Sequence, residues 1–134
     1  MPDRIRILIV DDSARARQSL RALLNIYAED TEVQEAEDGL EALQRIDEAL
    51  PSVVFLDVMM PGLDGIKTTQ LIKQHASHVK VIALSIASDY ESEALAAGAD
   101  AFVCKGDPPG VLLQALARVT GLQEDDGGRP PSVL

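Results

Sequence analysis

Five polar residues in this chain of 134 each stand directly behind a short apolar run. Asp11 and Asp12 follow Ile5-Arg6-Ile7-Leu8-Ile9-Val10, and Asp57 follows Val53-Val54-Phe55-Leu56. Ser85 follows the run that ends at Leu84, and Lys105 follows Ala101-Phe102-Val103-Cys104. Singly, each has an ordinary explanation. Asp12 or Ser13 could cap a helix, as could Ser85; Asp57 could open a loop; a lone lysine is usually a solvated charge. Together they describe chemistry. Carboxylates about 5 Å apart repel by roughly 3 kcal/mol per pair at an effective dielectric of about 20. Three of them need a cation, a raised pKa or a neighbouring base. A hard divalent ion fits best: Mg²⁺ takes one or two carboxylates, keeps several waters and completes its shell with phosphate oxygens. Lys105 and Ser85 would then offer a point charge and a hydroxyl to that phosphate. Asp57 is left as the nucleophile of a metal-assisted phosphoryl transfer, whose product is an aspartyl phosphate.

The elements that must bring these residues together are legible in the hydrophobic pattern. Residues 5–10, 53–56, 79–84 and 101–104 are apolar runs of strand length, and 32–36 is a weaker, more polar strand nearer an edge. Between them lie helical patterns. Leu20, Leu23, Leu24 and Tyr27 mark the first, with Arg15, Arg17 and Arg21 expected on its solvated face. Leu40, Leu43, Ile46 and Leu50 mark the second, which Pro51 ends. The third covers about 66–74, a short fourth 90–97 with Gly98 as its left-handed cap, and the last begins near Pro109. Strands alternating with helices imply an α/β fold, a doubly wound five-stranded parallel sheet covered on both faces. In such sheets ligands bind beyond the carboxyl ends of the strands, where all five polar residues would lie.

Composition narrows the functions. The length suits one domain, expected over residues 1–122, with a disordered acidic and Pro/Gly-rich tail over 123–134. No apolar run approaches a membrane span, and the start lacks a signal peptide's basic stretch and cleavage site. One cysteine makes no internal disulfide, so a cytoplasmic location is expected. A net charge of −10 argues against direct nucleic-acid binding, and with 3% aromatics there is little to stack bases on.

With those residues in view, the chain resembles the receiver domains of two-component response regulators over about residues 4–120. The likeness rests on Asp11-Asp12, on Asp57 before Val58-Met59-Met60-Pro61-Gly62-Leu63-Asp64-Gly65, on Ser85, and on Phe102-Val103-Cys104-Lys105. It implies a flavodoxin-like (βα)5 fold with strand order 2-1-3-4-5. It implies a phosphorylation-activated signalling switch in which Asp57 accepts a phosphoryl group from a partner histidine kinase or phosphotransfer protein. Asp12, Asp57 and the Met59 carbonyl would ligate Mg²⁺, with Asp11 assisting through water. Lys105 would pair with the phosphoryl group, Ser85 would swing toward it, and Phe102 would turn into the vacated space. The output, through a downstream protein target or a self-dimer, would use the side that carries Tyr90. The segment 98–108 looks most like receivers of helix-turn-helix transcription factors; a regulator without such an output domain is expected, and the receiver part of a truncated DNA-binding regulator is the alternative. Phe102 stands where Tyr is frequent, and Lys105 is followed by Gly106-Asp107-Pro108 rather than directly by proline. Met59 and Ala87 offer nothing to orient an attacking water, so a long-lived phosphoryl group is expected.

Other chemistries fit less well. A magnesium-dependent phosphohydrolase would carry a second acid two residues after the nucleophile, where Met59 stands. A flavin-binding loop would not begin with two aspartates, and no Gly-x-x-x-x-Gly-Lys-Ser/Thr occurs. His75 and His78 read as solvated surface, and Cys104 as a buried, inert thiol.

Overall fold

The computed structural model describes residues 5–121 apart from Glu29, Pro61 and Leu63, so the tail expected over 123–134 lies outside the described residues. The order of elements is β1 (Ile5–Val10), α1 (Ala14–Tyr27), β2 (Thr31–Ala36), α2 (Gly39–Glu48), β3 (Val53–Asp57), α3 (Gly65–His75), β4 (Lys80–Ser85), α4 (Glu91–Ala96), β5 (Ala101–Cys104) and α5 (Pro109–Thr120). The five strands pair in parallel in the order β2-β1-β3-β4-β5. This is the doubly wound, flavodoxin-like arrangement expected from the sequence.

Alternation along each strand divides the core in two. Leu8, Val10, Val54, Leu56, Val81 and Ala83 face one way, against Ala42 and Ile46 of α2, Ile72 of α3 and Ala94 of α4. Ile7, Ile9, Val53, Phe55, Ile82, Leu84, Ala101 and Val103 face the other, against Leu24 of α1 and Leu112, Ala115 and Leu116 of α5. Covered on both faces, β3 is buried at every position, and each large side chain there contributes about 2 kcal/mol of burial. The edge strands β2 and β5 alternate between covered and uncovered positions.

Local signals set the helix ends. Ser13 caps α1, its Oγ accepting from the Ala16 N–H at 3.1 Å, so the cap role does not fall on Asp12. Asp38 and Asp64 cap α2 and α3 in the same way. Gly98 has φ +112° past the end of α4, as a left-handed cap should, and a Cβ there would stand 2.9 Å from Lys73 Cγ.

Three expectations need correction. Arg17 and Arg21 are not free in solvent: both reach across to Glu35 of β2, with Nε–O distances of 2.8 and 2.7 Å, Arg17 largely covered and Arg21 still partly exposed. Only Arg15 is exposed as expected. Helix α2 stops at Glu48 rather than running to Leu50, because Ala49 has already turned to extended backbone ahead of Pro51. Cys104 is half-buried rather than buried, because β5 is an edge strand whose alternate residues are uncovered. A short 3₁₀ turn, Ser88–Tyr90, leads into α4, whose α-helical residues Glu91–Ala96 fall within the expected 90–97. His75 and His78 are exposed as expected.

Candidate functional site

Strand parity decides which side chains can meet. Asp11 continues the series Ile7, Ile9, and Asp57 continues Val53, Phe55; both series face α1 and α5. Since β1 and β3 are neighbours in register, with Ile9 opposite Phe55, the two acids emerge side by side beyond the ends of their strands. Asp12, the next residue of the chain, completes the group: one carboxylate oxygen from each of Asp11, Asp12 and Asp57 lies within 4.8 Å of the others. Asp11 and Asp57 are each 4% exposed, whereas Asp12 is open to solvent.

Lys105 follows Ala101 and Val103 on the same face, and its Nζ reaches back over the acids. It donates to Asp11 Oδ2 at 2.9 Å and stands 3.5 Å from Asp57 Oδ1. Asp11 is held at three further points. Its N–H donates to the Ala36 carbonyl at 3.1 Å, its Oδ1 accepts from the Ser13 N–H at 2.9 Å, and its own carbonyl accepts from Arg17 Nη1 at 2.6 Å. Asp57 has less support. Its Oδ1 accepts from the Met59 N–H at 3.2 Å, which keeps the Met59 backbone beside the acceptor although the side chain is 54% exposed.

The electrostatics follow from this packing. Burial pushes the Asp57 carboxyl up from its ordinary value; the Lys105 charge opposes that, and the Asp11 charge adds to it. Burial also works against the Lys105 ammonium, but its hydrogen bond to Asp11 and the charges of Asp57 and Asp11 outweigh burial and raise its pKa. One ammonium thus faces three acids, and the acceptor still carries a charge it would rather lose. A donor set made only of hard carboxylate oxygens, short of positive charge and open on the Asp12 side, suits Mg²⁺ and gives soft metals no sulfur or imidazole.

Ser85 continues Val81 and Ala83, which face α2 and α3, so it leaves the sheet on the opposite face from Lys105. It is fully buried, and its Oγ accepts from the Ala87 N–H at 3.3 Å, a long bond that is cheap to exchange. Phe102 lies opposite Ala83 in register and packs, half-buried, against the same face as Ser85. The structure therefore brings Asp11, Asp12, Asp57 and Lys105 into one cluster and sets Ser85 and Phe102 on one face of β4 and β5.

Two features were not singled out from the sequence. Gly65 opens α3 directly under β3: its N–H donates to the Val58 carbonyl at 3.0 Å, and a Cβ there would overlap the Asp57 carbonyl oxygen and stand 2.6 Å from Val58 Cα. Its signal was its place at the end of the loop that follows Asp57. The other is the Arg17–Glu35 pair, which left no local signal, since the partners are 18 residues apart.

Comparison with known proteins agrees with this geometry. Residues 7–117 match the family model described as the response regulator receiver domain. The chain is 36% identical over 115 residues to the transcriptional activator protein ExaE of Pseudomonas putida, covering 84% of this chain and 54% of that protein. It is 38% identical over 121 residues to response regulator MprA of Mycobacterium bovis, covering 88% and 50%. It is also 45% identical over 122 residues to protein-glutamate methylesterase/protein-glutamine glutaminase 5 of Myxococcus xanthus, covering 87% and 34%. The chain thus spans about half, or less, of the length of these relatives. Among solved structures, a CheY-like receiver domain protein from Methanospirillum hungatei superposes with a TM-score of 0.81 at 27% identity, covering 93% of this chain and all of that one. Chemotaxis protein CheY4 of Vibrio cholerae gives 0.77 at 29% identity, covering 87% and 98%.

Proposed function

The chain belongs to the response regulator receiver domain family, whose members are phosphorylation-activated signalling switches, and from that premise we propose how its own residues do the switching. Asp57 is the phosphoacceptor. One Asp57 carboxylate oxygen attacks the phosphorus of a phosphohistidine on a sensor histidine kinase or a phosphotransfer protein. The P–N bond breaks, the imidazole leaves with the electron pair, and Asp57 carries the phosphoryl group as an acyl phosphate.

Asp12, Asp57 and the Met59 carbonyl would hold Mg²⁺, and Asp11 would act through water. When bound, the ion supplies the positive charge that lets anionic reactants approach and steadies the transferring oxygens. Lys105 neutralises the phosphoryl oxygens from its own side. In the unphosphorylated chain it is hydrogen-bonded to Asp11, so it is preloaded 3.5 Å from the acceptor. Ser85 gives up its long bond to the Ala87 N–H and donates to the phosphoryl group, drawing the start of the segment toward α4 with it. Phe102, on the same face, fills the space Ser85 leaves. The added charge biases a two-state domain, and the surface around Tyr90 meets a downstream protein or a second copy of the chain. The protein regulates rather than turning over a substrate, although it assists its own phosphorylation and dephosphorylation.

The observation that carries this reading is the convergence of three carboxylates within 4.8 Å beneath one lysine ammonium. It is tested by incubating the protein with Mg²⁺ and acetyl phosphate and weighing it intact. One acid-stable, base-labile phosphoryl group that Asp57→Asn abolishes is expected. No gain in mass would sink the proposal, and rapid turnover of phosphate esters would indicate a hydrolase.

A second reading is favoured by the relatives being about twice as long or longer: the same switch controlling an attached output domain, as the names of the transcriptional activator and the methylesterase suggest for those proteins. Linking the phosphorylated chain to DNA-binding activity of a longer form would favour it.

A further inference from the structure

Asp12 is the exposed member of the acidic cluster, and it is Ser13, not Asp12, that caps α1. Its place therefore depends on the backbone that carries it. The peptide group joining Asp11 to Asp12 is planar, so whatever fixes the Asp11 carbonyl also fixes the direction in which Asp12 leaves the strand. That carbonyl is held from α1: Arg17 Nη1 donates to it at 2.6 Å. The same guanidinium donates through Nε to Glu35 Oε1 at 2.8 Å. Glu35 lies beside Ile9 in the β1–β2 register, and its other oxygen accepts from Arg21 Nε at 2.7 Å, while Arg21 Nη2 donates to the Val33 carbonyl at 3.1 Å.

A clamp between α1 and β2 would need only the arginine–glutamate contacts. The third contact, to the peptide that joins two of the three acids, ties the clamp to the site. The Arg17 side chain is only 15% exposed, and a charge so covered is tolerated when its hydrogen bonds are fully made. A rigid planar fork that serves two partners in fixed directions is a task for arginine rather than lysine.

We propose that Arg17, aligned by Glu35, is a positioning residue for the Mg²⁺ site: it holds the Asp11–Asp12 peptide so that Asp12 presents its carboxylate to Asp57. The inference rests on the reading of Asp11, Asp12 and Asp57 as the metal site. Removing Arg17 loosens the peptide and costs metal affinity. Removing Glu35 leaves Arg17 in place but misaligned and costs less.

The test titrates Mg²⁺ alone into the intact chain by calorimetry and measures thermal stability separately in EDTA. Partners that orient metal ligands typically change affinity 10- to 100-fold, so Arg17→Met should raise the Mg²⁺ Kd about tenfold and Glu35→Gln about threefold. The double variant should be no worse than Arg17→Met. Arg17→Lys, which keeps the charge but not the fork, should stay weakened for Mg²⁺ even where its stability in EDTA is that of the wild type. Glu41→Gln, which breaks the separate Glu41–Arg45 pair on α2, should leave the Kd unchanged. A folded Arg17→Met or Arg17→Lys with the wild-type Kd would overturn the positioning role alone, as would losses at Arg17 and Glu35 that simply multiply. A folded wild-type chain that takes up no Mg²⁺ would overturn the metal reading together with this one, so the two failures are told apart.

Discussion

Lys105, behind β5, is hydrogen-bonded to Asp11, behind β1, with Nζ 2.9 Å from Oδ2, across the ends of the two strands β3 and β4 that stand between them. In the unphosphorylated state its ammonium is thus committed to a carboxylate that is not the acceptor, and the bond must be exchanged when a phosphoryl group arrives on Asp57.

Removing that ammonium separates its role from the metal's. Lys105→Ala should keep Mg²⁺ binding, or tighten it a few-fold, because the ion no longer competes for Asp11 Oδ2. Losing one preorganised charge at a reacting centre costs about 10²-fold or more in rate, so phosphorylation by acetyl phosphate should slow on that order. Loss of the metal site in a folded variant would mean that Lys105 builds the site rather than serving it.

Asp57 makes the metal-free protein sensitive to pH in an unusual direction. Its folded-state pKa is raised above the ordinary 3.8, mainly by burial, so the native state holds that proton more tightly than the unfolded chain does. Stability from this group is therefore present at low pH and lost as pH rises through the folded value. Asp57→Asn should stabilise the protein in EDTA at neutral pH, and the gain should vanish as pH falls below 3.8. Urea melts across that range would show it; a gain unchanged with pH would contradict it.

Glu35 runs the other way. Hydrogen bonding to Arg21, against the opposing effect of burial and helped by Arg17, holds its carboxyl below the ordinary 4.5. Its contribution is present above that value and lost as pH falls through the folded one, so Glu35→Gln should destabilise at neutral pH and become neutral in acid. A destabilisation that persists in acid would point to lost packing instead.

Gly65→Ala should be the most damaging small change near the site. The added methyl meets the backbone of Asp57 and Val58 rather than a side chain that could move aside. Overpacking of this kind costs about 3 kcal/mol. Denaturation should report that loss, and Mg²⁺ should bind more weakly because the end of β3 is displaced. A fully stable variant would mean α3 slides freely on the sheet.

The acyl phosphate should last. Met59 and Ala87 flank the acceptor strand end and the Ser85 hydroxyl without a polar side-chain group to align water. Timed intact-mass measurements after removal of the phosphodonor should show slow decay, and loss within seconds would contradict it.

Much of this was legible in the sequence. The strand ends were visible because burial on both faces demands unbroken apolar runs, so Asp11, Asp57, Ser85 and Lys105 stand out where each run stops. What escaped was whatever depended on pairing distant segments. Arg17 stands seven residues before Leu24 and Arg21 three before it, so both flank the apolar stripe of α1 on the helical wheel; their charge, not their spacing, is what assigned them to water. Only the position of β2 beside β1 puts Glu35 within reach. Cys104 reads as core within its run, but edge strands leave alternate positions uncovered, and edge status is a property of topology.

The bridge between Lys105 and Asp11 joins residues 94 apart, nearly the full span of the sheet-forming chain. Contacts of such separation close late, because the entropy of joining distant segments must be met before the contact rewards it. A nascent chain that has folded through β3 already holds Asp11, Asp12 and Asp57 but lacks the cation that faces them. Full competence for phosphoryl transfer therefore arrives with the docking of β5, the fifth strand of the sheet. A partly folded chain would therefore take up a phosphoryl group slowly, as the Lys105→Ala variant should.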